Sequence, residues 1–100
     1  MSHPKELPIP PVARESSGAI EVARVWVAKK AQHVSLATGL WKDPAAWGVM
    51  LVDLAKHVAN AYHETTGQGP SEALARIKEG FDAEWAAATD DPEGGLVDKE

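Results

Sequence analysis

Asp53 and His57 stand four residues apart in a segment of helical periodicity, the spacing that brings two side chains together on one face of a helix. A carboxylate beside an imidazole can orient the ring as a general base, supply two ligands to a metal ion, or form a plain ion pair. A base also needs a substrate cleft and further groups, and a metal usually needs three or four ligands. Glu64 lies seven residues beyond His57, roughly 10 Å along a helix axis, so one ion cannot readily take both. His63 falls on a different side of the helix. We read the pair first as a surface ion pair, with ligand binding and catalysis as the alternatives.

The stretch "LWKDPAAWG", Leu40 to Gly48, sets two of the four tryptophans around an Asp-Pro step. Trp41 together with Asp53 and His57 makes a candidate small-ligand or metal-binding site. Against this stands a reading without a ligand, in which Trp47 belongs to a core stripe and Trp41 clamps the start of a helix, as a hydrophobic staple does. A third set is His33 and Ser35, which alternate with Val34 and Leu36 in "QHVSLAT". If that strand pairs across a two-fold axis, His33, Val34, Ser35 and Leu36 form the dimer surface, and paired histidines there give a pH-sensitive contact. The simpler reading is the polar side of a solvated strand.

Other chemistry is excluded by what is missing. No glycine-rich phosphate loop, G-x-S-x-G elbow or H-E-x-x-H motif occurs, and the chain has no cysteine. No catalytic residue, metal set or cofactor is therefore assigned, and the expectation is a protein that is not an enzyme.

The elements that must carry these residues are legible in part. Prolines 4, 8, 10 and 11 bar helix and central strand from the first dozen residues, so 1–15 reads as an extended proline-rich arm carrying Leu7, Ile9 and Val12. Ser16, Ser17 and Gly18 resemble a helix start, and the apolar residues behind them predict a mostly buried first helix from Ser17 to about Lys30, closed by Lys29 and Lys30 at the negative end of its dipole. A strand there is less attractive, because Glu21, Ala23 and Val25 would share one face. "QHVSLAT" then predicts one short half-buried strand.

Asp43 as cap and Pro44 as first helical residue predict a second helix, with Trp47, Leu51, Leu54, Val58 and Ala61 in one stripe joined by Met50 and Tyr62, ending before "TTGQGP". After Gly69 and Pro70, the spacing of Leu74, Ile77, Phe81, Trp85 and Ala88 predicts a third helix, with Gly80 marking a close helix contact. Residues 89–100, acidic and glycine-rich, read as a disordered tail.

One hundred residues make one domain, expected over 16–88, with 44% hydrophobic and 25% charged residues, ordinary globular values. The net charge of −5 is uneven, because residues 1–42 hold six Lys or Arg against three acids while residues 43–100 hold four against twelve. A broad basic footprint for nucleic acid is absent. No apolar run suits a signal peptide or a membrane span, so the expectation is a soluble cytoplasmic protein with no membrane partner.

The segments "KELPIPPVARE", "VARVWVAKKAQHVSL", "WKDPAAWGVMLVDLAKHVANAY" and "IKEGFDAEW" resemble a family of short bacterial proteins grouped as domain of unknown function 5076. The resemblance covers roughly residues 5–86 and is most specific around Asp43, Pro44 and Trp47. It implies a small free-standing bacterial protein and supplies no activity, cofactor or site residue. Where members of that family often carry Asn-Gly after the first element, this chain has Lys29, Lys30 and Ala31.

The expected fold is mainly α with one short strand, in the order α-β-α-α. Its core is a helical hairpin that packs Trp47, Leu51, Leu54 and Val58 against Leu74, Ile77, Phe81 and Trp85. A lone strand needs a mate, which favours a homodimer formed by antiparallel strand pairing. The expected function is a non-catalytic interaction or regulatory module acting as that homodimer, with an unidentified protein partner. One alternative is a ribbon-helix-helix-like DNA-binding regulator using Gln32, His33 and Ser35, which the lack of Lys or Arg between Ala31 and Trp41 weighs against. The other is the ligand or metal protein built on Trp41, Asp53 and His57.

Overall fold

A computed structural model describes residues 4–87, so the acidic segment 89–100 lies outside the described residues. The chain is mostly helical, with a two-stranded antiparallel sheet: α1 (Pro11–Glu15), β1 (Ala23–Ala28), β2 (Ala31–Leu36), α2 (Ala45–Thr66) and α3 (Pro70–Ala86). Residues 4–10 have no regular secondary structure, whereas residues 11–15, expected to stay extended, form α1 with Pro11 at the first helical position, where a missing N–H costs nothing.

The expected first helix from Ser17 to Lys30 is not formed. Its second half is β1, which pairs with β2 from Ala23↔Leu36 to Ala28↔Ala31, and the ladder is extended by the Ala37 N–H donating to the Val22 carbonyl at 3.0 Å. The strand begins after Glu21, so the face shared by Glu21 and Val25, which had argued against a strand, does not arise. Val25 and Val27, β-branched, and the aromatic Trp26 suit the pleated backbone. Lys29 and Lys30 close no helix. They are the two turn residues of the hairpin, both in the left-handed region with φ of 52° and 64°, as a type I′ turn demands. The strand "QHVSLAT" is therefore not alone. It is bonded within its own chain, and the reason for pairing it across a dimer axis falls away.

The start of α2 follows the sequence closely. The Asp43 carboxylate accepts a hydrogen bond from the Ala45 N–H at 3.0 Å, and Pro44 already has helical backbone with φ −56° and ψ −21°. At its far end Gly67, with φ +82°, takes the left-handed conformation that stops the helix, and its N–H donates to the His63 carbonyl at 2.9 Å. His63 Nδ1 donates to the Gln68 carbonyl at 3.1 Å, tying the three-residue turn to the helix before Pro70 opens α3.

The helices pack as the antiparallel hairpin expected, but through a different seam. Ala59 and Ala73, 2% and 3% exposed, are the buried hydrophobic residues of the described chain. Small side chains let two helices approach closely, and Val58, one residue and about 100° around α2 from Ala59, is left on the flank. Of the large-residue seam predicted between the helices, Trp47, Leu74 and Ile77 are half-buried, but Leu51, Leu54, Val58, Phe81 and Trp85 are exposed, Leu54 by 49% and Trp85 by 82%. Gly80 marks no close contact either, since a Cβ built there meets nothing within 4 Å. No strand residue comes within 8 Å of α2 or α3, Cα to Cα, and residues 37–44 join the two parts.

Candidate functional site

The residues expected to form a ligand site do not converge. Trp41 packs edge-on against Trp47, ring centroids 5.1 Å apart at 79°, which is the anchoring contact rather than the lip of a pocket. Asp53 and His57 both lie exposed on α2, and no ion pair or hydrogen bond joins them, so even the ion pair anticipated from their spacing is not made. On the helical wheel Asp53 lies about 120° and His57 about 80° around from Trp47. Among the described residues no three His, Asp or Glu gather closely enough to hold a metal ion.

The four residues expected at a dimer surface divide between the two faces of the hairpin. Register places Ala23, Val25 and Val27 opposite Leu36, Val34 and Gln32, giving one apolar face. The other face sets Arg24 opposite Ser35 and Trp26 opposite His33, whose Nε2 donates to the Ala28 carbonyl at 3.3 Å. His33 is thus half-buried beside an indole and held by its own hairpin.

A cleft lies between the arm and β1, where the arm drapes over its own chain. Arg24 bonds Glu21 at 3.1 Å and reaches Glu6 of the arm, also at 3.1 Å, which pins the arm beside the strand. The cleft between them has a volume of about 710 Å³ and is lined by Leu7, Ile9, Ala13, Ile20 and Trp26 among others. It is open along one side, and all three ion-pairing side chains are solvated, so each pair contributes at most about 1 kcal/mol.

Val25 and Val27 stand out on the hairpin, Leu51, Leu54, Val58 and Tyr62 on α2, and Phe81 and Trp85 on α3, where the two rings stack with centroids 5.6 Å apart. Exposed apolar patches of this extent on a folded chain mark contact surfaces. The sequence signal was present in the stripes themselves, but periodicity says which residues share a face and not what the face meets.

Comparison with known proteins agrees with the segments quoted above. Residues 6–89 match the family described as Domain of unknown function (DUF5076). The chain belongs to this family. No curated protein matches it. Among solved structures it is similar to a protein from the photosynthetic bacterium Rhodopseudomonas palustrus CGA009, provisionally named a pyruvate dehydrogenase. The two are 35% identical, and the match covers 97% of this chain and 99% of that one with a TM-score of 0.71. Among the described residues of this DUF5076 chain, no helix is long and apolar enough to cross a membrane.

Proposed function

We propose that this DUF5076 protein is a non-catalytic interaction module that works as a homodimer. The observation that supports it is exposed apolar surface. Among the described residues Val25, Val27, Leu51, Leu54, Val58, Tyr62, Phe81 and Trp85 each leave 39% or more of their surface in water. Large side chains of this kind are what permanent dimers bury at their interfaces.

The name carried by the R. palustrus structure suggests a second reading, oxidative decarboxylation of a 2-oxo acid. That chemistry calls for polar groups held in a water-excluding site. The described residues bury no polar or charged side chain, and Asp53 and His57 are solvated, so the interaction reading is preferred. The DNA-binding alternative is weakened by the lack of any Lys or Arg on β2 (Ala31–Leu36) to meet phosphates.

The test is the solution mass across a concentration series, by sedimentation equilibrium. A dimer that persists to submicromolar protein is expected. A monomer throughout the range overturns the proposal. A steady turnover of pyruvate by the purified chain would overturn its non-catalytic part.

A further inference from the structure

We propose, resting on the homodimer reading, that the apolar face of each β1–β2 hairpin is covered by the α2 stripe of the other copy, so that sheet and helices meet between chains rather than within one. A two-stranded hairpin is marginal in water unless a third layer covers it. Here Val25 and Val27 stand 60% and 78% exposed beside the half-buried Val34 and Leu36, and no strand residue comes within 8 Å of α2 or α3, Cα to Cα, so the face is only partly covered by its own chain. On α2, Leu51, Leu54, Val58 and Tyr62 remain exposed beyond the half-buried Trp47, while α3 meets α2 around the alanine seam.

The two faces match in chemistry and in length. Neither holds a charged residue: Gln32 is the polar member of the hairpin face, and the stripe's polar atoms are the Trp47 N–H and the Tyr62 hydroxyl. Six strand residues extend roughly 20 Å. From Trp47 to Tyr62 the helix rises about 22 Å. A second copy is the occupant that brings both faces in equal number, and a two-fold axis then satisfies both by two identical contacts. The connection allows it, since the eight residues 37–44 span up to about 28 Å when extended.

Because the chain has no cysteine, single cysteines report contacts cleanly. Val25→Cys and Leu54→Cys chains, distinguished by a mass tag and co-expressed, are treated with a short bis-maleimide, and Val34→Cys with Val58→Cys serves as a second pair should one variant fold poorly. The expected product is the mixed dimer carrying one chain of each kind, with little product from either variant alone. Cross-linking of Val25→Cys to itself would mean that hairpins meet each other across the axis, and cross-linking within one doubly substituted chain would mean that the hairpin folds back on its own helices. Either result overturns the inference, as does a dimer without the mixed product. Sedimentation of the same samples separates the two readings, because a monomer refutes the homodimer itself, whereas a dimer lacking the mixed product refutes the exchange alone.

Discussion

The hairpin turn offers the sharpest test of the fold, because two lysines occupy backbone that lysine disfavours. Lys29 and Lys30 have φ of 52° and 64°. In that region the Cβ of an L-residue crowds the following carbonyl, at a cost of about 1–2 kcal/mol per residue. The double substitution Lys29→Asn, Lys30→Gly supplies the pair that type I′ turns prefer, in which glycine has no Cβ to crowd and asparagine tolerates the conformation. Part of the gain is offset by the added freedom of glycine in the unfolded chain, about 0.4–1 kcal/mol. A net stabilisation of about 1 kcal/mol remains, equivalent to roughly 4–8 °C in melting temperature for a domain of this size. The assay is thermal unfolding followed by circular dichroism, at one fixed protein concentration because a dimer's midpoint moves with concentration. The control is Lys30→Val, which places a β-branched residue at positive φ and is expected to lower the midpoint. If the Asn-Gly variant melted no higher than the parent and Lys30→Val melted no lower, then either the lysines do not occupy this turn or the hairpin does not share in the cooperative transition, and the reasoning fails in both cases.

Three further substitutions probe the helices by the same assay. Ala59→Leu places a large side chain in the alanine seam and is expected to cost about 1–3 kcal/mol, whereas a change near zero would mean that the seam is loose. Asp43→Ala removes the carboxylate that accepts the Ala45 N–H and is expected to cost about 1 kcal/mol; an unaltered midpoint would show that solvent serves this N–H equally well. Gly80→Ala, at a position where a Cβ meets open space, is expected to add up to about 1 kcal/mol of helix stability. Loss of stability there would place Gly80 against a partner instead.

The parts of the fold that were legible are those governed by local chemistry. Asp43 and Pro44 announce α2, Gly67 ends it, and Pro70 opens α3, because caps and fixed dihedrals act within a turn of the residues that cause them. The misread segment is Ser17–Lys30, where valines and a tryptophan suit either a buried helix or a strand. There the deciding fact was a turn of two lysines at positive φ, and lysine carries no signal for that conformation. The candidate site on Trp41, Asp53 and His57 failed for a related reason. Spacing of four residues puts two side chains within reach, but an exposed pair gains little from meeting, and here Asp53 and His57 do not meet.

The placement of large and small residues on α2 and α3 explains why periodicity identified the stripes and misjudged their partners. A helix pair can pack through bulky side chains at wide separation or through alanines at close approach, and a sequence with both kinds of stripe leaves the choice open. This chain uses the alanines internally. Burying Ala59 and Ala73 removes little apolar area from water, while ordering two helices and a hairpin costs backbone entropy at every residue. The stripes of Leu, Val, Phe and Trp must therefore supply most of the stabilisation, and within one chain they remain exposed. On the homodimer proposed above, their burial against a second copy would make folding and association a single event. On that reading the hydrophobic content of this chain is ordinary for its length because it is the core of a two-chain unit divided equally between its halves.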